Sequence, residues 1–207
     1  MIFEIFPVGP FQCNCMILGC EETKTAVVID PGEEADRILD SLSRHQLKSA
    51  YLLHTHAHLD HIGATDEVQK KTGATTCLHE DDMVLCENLH IQAELFGLPT
   101  PATPTIDRFL KEGEEISFGK SRVEVLHTPG HTPGSLSFHI PTFGLITGDT
   151  LFAGSVGRTD LWGGSHPTLI HSIQKKLLSF PDETSVYPGH GPKTTVGRER
   201  RGNPFLT

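Results

Sequence analysis

The sequence predicts a single α/β domain, and three observations predict it. Short apolar and β-branched runs alternate with helix-periodic stretches along all 207 residues. No linker, internal repeat or low-complexity tract divides them. Polar, histidine-rich segments recur where strands end, the place at which open α/β sheets gather ligands. A chain of this length removes roughly 70% of its unfolded surface from water, enough for one sizeable core.

The elements follow in order. Ile2–Phe6, Met16–Leu18, Ala26–Ile29 and Ala50–Leu53 read as strands. Glu33–Leu47 reads as a helix, because Ala35, Ile38, Leu39 and Leu42 recur at i, i+3, i+4 and i+7. A second helix is expected from about Ile62 and a third over Asp81–Phe96. Pro99, Pro101 and Pro104 then make a rigid loop. Strands are expected near Val123–Leu126, Leu136–Ile140 and Leu145–Thr147. A helix over Pro167–Phe180 carries Ile170, Ile173 and Leu177 on its inner face, and Val186 lies in a last strand.

Composition narrows the setting. The balance of 17 Lys+Arg against 26 Asp+Glu, a formal charge of −9, argues against bulk attraction to nucleic acid or an anionic membrane. No basic segment precedes an apolar one at the start, and no apolar run reaches membrane-spanning length, so a cytoplasmic protein is expected. Five cysteines without a secretory signal do not suggest a disulfide framework. Cys13 and Cys15 read as neighbours on one face of a strand, since the spacing is too tight for a usual zinc clip.

The chemistry concentrates at strand ends. "LLHTHAHLDHIGA" sets His56, His58, Asp60 and His61 within six positions, behind an apolar run. "HTPGHTPGS" holds His131 between two Pro-Gly turns, which stiffen the loop around it. "TGDTLF" places Asp149, "VYPGHG" places His190 and "VVIDPG" places Asp30, each just past a strand. Alone, each could be a turn or surface residue. Together they are imidazoles and carboxylates of the kind that bind zinc, iron or manganese. Nothing ties His54, His127 or His139 to the set.

T-H-A-H-L-D-H, T-P-G-H-T-P-G-S, T-G-D-T and P-G-H-G, in that order, resemble the metallo-β-lactamase superfamily. The resemblance implies an αββα sandwich, two mixed β-sheets flanked by helices. It implies two divalent metal ions, zinc foremost, with His56, His58 and His131 on one and Asp60, His61 and His190 on the other. Asp149 is then the bridge, and Asp30 holds the motif loop by hydrogen bonds from just outside the ligands. Two such ions share a water and lower its pKa towards about 7, and Asp60 can orient the resulting hydroxide for attack.

Within the superfamily, "TGDTLFAGSVGR" is similar to hydroxyacylglutathione hydrolase, or glyoxalase II. Arg158 falls where that family has a glutathione-binding lysine, and Asp160 stands where it has an aromatic residue. The "RGNPFLT" ending resembles the compact bacterial subgroup without the C-terminal helical domain. The expected substrate is a small-molecule thioester, whose thiol leaves as thiolate without a general acid. "GRTD", shared with the persulfide dioxygenases, supports an alternative with a single iron on His56, His131 and Asp149. A noncatalytic scaffold and an RNA-processing nuclease are disfavoured, the first by the full ligand set and the second by the acidic charge.

Overall fold

In a computed structural model, residues 1–206 are described and form two compact units. The first comprises Met1–Leu110 with Ser117–Ser121, and the second Lys111–Ile116 with the chain from Arg122 onward.

The first unit is built on a six-stranded mixed sheet, in spatial order β1 (Ile2–Val8), β2 (Cys13–Gly19), β3 (Thr25–Ile29), β4 (Lys48–Leu53), β5 (Thr75–Leu78) and β6 (Arg108–Phe109). The β1–β2 and β2–β3 pairs are antiparallel, and β3 through β6 run parallel. Parallel neighbours need crossovers, and these carry the helices. α1 (Ala35–Arg44) joins β3 to β4; α2 (Leu59–Ile62) and α3 (Thr65–Thr72) join β4 to β5. α4 (Met83–Glu87) and α5 (Leu89–Phe96) lie between β5 and β6.

β2 is buried along its whole length. Cys13, Cys15 and Ile17 share one core cluster with Ala35, Ile38 and Leu42 of α1 and Val68 of α3. The two thiols lie on one strand face as the period-two pattern requires, and none of the five cysteines forms a disulfide. α1 stops short of the expected Leu47. Gln46 turns left-handed at φ 57°, and the Leu47 amide donates back to the Leu42 carbonyl, so Leu47 closes the helix end from outside it.

The single helix expected over 81–96 is a 3-10 turn at Glu80–Asp82 followed by α4 and α5. The break falls at Asn88, whose side-chain amide donates to the Val84 carbonyl at 2.7 Å and competes with the helical ladder. Leu85, Cys86, Leu89 and Ala93 still bury one continuous face, against Ala57, Leu59 and Ile62. That packing brings the segment to the histidine-rich loop.

The second sheet is built from β7 (Glu115–Phe118), whose last two residues fall in the first unit, and from β8 (Ser121–His127, from Arg122 in the second unit), β9 (Leu136–Ile140), β10 (Gly144–Gly148), β13 (Ser185–Pro188) and β14 (Thr194–Thr195); the second unit adds a small hairpin of β11 (Leu151–Phe152) and β12 (Ser155–Val156), and the helices α6 (His166–Lys175) and α7 (Val196–Gly202). This sheet runs β14-β13-β10-β9-β8-β7, with β10 and β13 parallel and α6 in their crossover. The helix expected over 167–180 ends at Lys175, and a 3-10 turn covers Leu177–Ser179. Its inner face is Leu169, Ile173 and Leu177, with Ile170 only half-buried. Burying each such side chain contributes about 1.5–3 kcal/mol. Among the described residues, no helix is long and apolar enough to cross a membrane.

Candidate functional site

The first unit presents its polar set at the carboxyl ends of β3 and β4. Asp30 follows β3 in a left-handed conformation (φ 52°), which aspartate tolerates better than most side chains. Its Oδ1 accepts the Thr55 amide at 2.7 Å. Its Oδ2 accepts the Thr55 hydroxyl at 2.7 Å and His61 Nδ1 at 3.0 Å. One buried carboxylate therefore fixes the start and the end of the motif loop.

The same bonds select tautomers. Thr55 spends its only proton on Asp30, so its oxygen accepts from His56 Nδ1 at 3.1 Å. His61 Nδ1 likewise donates to a carboxylate. In the neutral form of both rings Nε2 is then the unprotonated atom. His56 Nε2 faces His58 Nδ1 at 3.0 Å, and His61 Nε2 lies 3.7 Å from Asp60 Oδ2. Cys13 Sγ lies 3.5 Å from His61 Nδ1; burial pushes this thiol up to about 12, so it stays protonated there.

His54 stays outside this set. Fully buried, it bonds the Cys77 carbonyl and the Thr65 hydroxyl, tying β4 to β5 and α3, and burial lowers its pKa.

The second unit presents its residues past β8, β10 and β13. Gly130 (φ 134°) lets α6 approach, since a Cβ there would overlap the Leu169 backbone. Ser172 locks the contact by donating to the Pro129 carbonyl at 2.7 Å. His131 follows, with Nδ1 donating to the Arg158 carbonyl at 2.7 Å, which again leaves Nε2 as the unprotonated atom of the neutral ring. Asp149 Oδ2 lies 3.7 Å from His131 Nε2 and 3.6 Å from His190 Nε2. Gly157 lets the 153–158 loop close down, because a Cβ would overlap the Asp149 carbonyl oxygen.

These donor sets fit metal ions. Two ligands about 2.1 Å from one ion stand about 3.0–3.7 Å apart at angles of about 90–125°, the range seen for each facing pair. Neutral imidazole presenting an unprotonated ring nitrogen is the form a metal requires. His61 and His131 are buried, whereas Asp60 and His190 keep 20% and 28% of their side-chain surface, so each set has a solvent-reachable member.

Asp30, His56 and His58 follow strands of the first unit, Asp60 and His61 lie in α2 just beyond, and His131, Asp149, Arg158 and His190 follow strands of the second. Arg158 has an unforeseen partner. Its Nε and Nη2 donate to both Asp160 oxygens at 2.7 and 2.9 Å. The bonds from Arg158 hold the Asp160 carboxyl down at about 2.

Sequence reasoning missed the residues that brace the loops. Asp82 accepts the Ala57 amide at 3.0 Å, and Gln92 bonds the backbone of residues 57 and 59. Buried Glu199 of α7 accepts the Gly154 amide at 2.8 Å, and Asn203 donates to the Ser155 carbonyl at 3.0 Å. Glu199 and Asn203, the latter in the "RGNPFLT" ending, thus hold the loop that leads to Arg158. Asp82 follows β5 in "LHEDD", a signal of the same type as Asp30. The others carry no local signature.

A mixed-sheet α/β protein with imidazoles and carboxylates at its strand ends belongs to the class of metalloproteins. More particularly, the chain belongs to the metallo-β-lactamase superfamily, whose family model matches residues 8–190. It is 43% identical to the hydroxyacylglutathione hydrolase GloC of Haemophilus influenzae over 210 residues, covering all of this chain and 98% of that one. The B3 metallo-β-lactamase BLEG-1 superposes with a TM-score of 0.92 at 40% identity, over the whole of both chains. TTHA1623, solved in a di-iron-bound form, superposes with a TM-score of 0.90 at 41% identity, over 98% of this chain and all of that one. The fold class expected from the sequence is the one the chain has.

Proposed function

We propose that the protein is a dinuclear metal-dependent hydrolase that cleaves small thioesters in the cytoplasm, S-(2-hydroxyacyl)glutathione such as S-lactoylglutathione among them. The observation that carries this reading is tautomer control. His56, His61 and His131 each give Nδ1–H to a protein oxygen, and each is left with Nε2 as a ligand atom. His56, His58 and His131 would hold one ion, Asp60, His61 and His190 the other, and Asp149 both.

Two divalent ions, zinc first and iron or manganese as alternatives, would supply Lewis-acid polarisation of the thioester carbonyl and acidify a bound water. The residues supply the rest. Asp60, partly open to solvent, orients the attacking water and accepts its proton at Oδ. No side chain has to protonate the leaving group, because a thiol of pKa about 8.5 departs as thiolate. Arg158, half-exposed, would take a substrate carboxylate in exchange for Asp160. The similarity to GloC supports the thioester class.

Metal analysis of the reconstituted protein, paired with a panel of glutathione thioesters, plain esters and a β-lactam, tests the proposal. Two metal equivalents and preferential thioester cleavage are expected. A single iron with oxygen uptake on a persulfide would replace it with the dioxygenase reading. Preferential β-lactam hydrolysis would move the substrate assignment towards the BLEG-1 likeness.

A further inference from the structure

We propose that Gln92 is a positioning residue for His58 that acts through the backbone on either side of it; this rests on the ligand set above. Gln92 Oε1 accepts the Leu59 amide at 2.9 Å, while Nε2 donates to the Ala57 carbonyl at 3.1 Å and the Leu85 carbonyl at 3.0 Å. One planar amide therefore spans residues 57 and 59 and fixes the peptide groups that aim the His58 side chain.

The need for it is physical. Residues 54–58 belong to no helix or strand, and Ala57 is fully buried, so its polar groups require side-chain partners. Asp82 Oδ2 takes the Ala57 amide and Gln92 the Ala57 carbonyl. Leu59 opens α2, where His58 makes no side-chain cap, and Gln92 satisfies the first orphan amide in its place. Gln92 is itself held, because Leu89 and Ala93 on the same helix are fully buried against the loop's own cluster. Asp30 braces a different part, Thr55 and His61. The two halves of the motif thus have separate supports, and loss of Gln92 strikes the His58 half.

The test is zinc competition against a chromophoric chelator on the full chain, with apoprotein melting alongside. Gln92→Met keeps length and packing but removes all three hydrogen bonds. One of two zinc equivalents weakens about 10–100-fold, as loss of a ligand's outer support typically does, and the other is unchanged. Gln92→Glu, the fallback if the methionine variant fails to fold, turns an oxygen towards two carbonyls and weakens the same equivalent. Exposed Leu95→Ala on the same helix changes neither. Equal weakening of both equivalents would make Gln92 a general structural residue and overturn the inference, as would no weakening. His58→Ala is the reference. If it still binds two equivalents as tightly as wild type, the ligand set itself fails; if it loses one and both Gln92 variants lose none, only the positioning role fails.

Discussion

Thr55→Val is the sharpest probe of the hydrogen-bond chain behind the ligands. The replacement is close to isosteric at a buried position, so it removes a hydroxyl and little else. Two bonds go with it. Asp30 Oδ2 loses a charge-assisted partner at 2.7 Å, worth about 1.5–3 kcal/mol, and keeps only His61. His56 Nδ1–H loses its acceptor at 3.1 Å, and an unmet buried donor costs about 1–3 kcal/mol. The two share one atom, so the sum falls towards the low end, about 3 kcal/mol. At this chain length each kcal/mol moves Tm by about 2–4 °C, so the apoprotein should melt about 6–12 °C lower. The His56 ring is also released to place its proton on Nε2, which should weaken zinc binding about 10–100-fold. Calorimetry of the apoprotein and chelator competition on the zinc form measure the two effects separately. Thr55→Ser keeps the hydroxyl and should lose only about 1 kcal/mol for its missing methyl. A valine variant that melts within about 2 °C of wild type and holds zinc as tightly would refute the chain Asp30–Thr55–His56 as the source of tautomer control.

Asp149→Asn should lower thioester turnover by roughly 10²-fold or more with the fold intact, because a neutral amide cannot balance two dications; unchanged turnover and metal content would remove its bridging role. Arg158→Ala should raise KM for a glutathione thioester about tenfold, as loss of a contact worth about 1.4 kcal/mol would, and leave a small thioester without the carboxylate nearly unaffected. Asp160→Asn should do the opposite and lower that KM, since the bidentate pair competes with substrate for the same guanidinium. For pH, burial raises the Glu4 carboxyl, but hydrogen bonds from Ser41 and His45 and the charge of Arg44 outweigh it and hold it below its ordinary 4.5. The folded state therefore favours ionised Glu4, whose stabilisation is full above pH 4.5 and is lost as pH falls through the folded pKa. Apoprotein Tm should drop more steeply below pH 4.5 in wild type than in Glu4→Gln; parallel curves would exclude the Glu4 cluster as an acid-sensitive clasp of β1 to α1.

Residues whose chemistry allows few substitutes are the most legible in the sequence. His56, His58, Asp60, His61, His131, Asp149 and His190 stand out as candidate ligands because metal ligation demands imidazole or carboxylate, and strand ends announce themselves by apolar runs followed by Pro-Gly or Gly-Asp turns. The long strands and α1 were legible for a related reason: a buried face repeats with the period of its element. The supports show themselves only in the folded chain. Gln92 meets the loop 33 to 35 residues upstream because Leu89 and Ala93 pack against Leu59 and Ile62, and a glutamine on a short helix has no local mark of that destination. Glu199 and Asn203 reach back more than 40 residues to hold the 153–158 loop. Short strands such as β6, β11 and β12 carry too few residues for any period to show. Arg158 read as an open anchor, and its pairing with Asp160 emerged only when the loop's turn brought the two side chains to one side. Ligand identity is local covalent chemistry, whereas hydrogen-bond partnership depends on where distant segments come to rest once their apolar faces are buried.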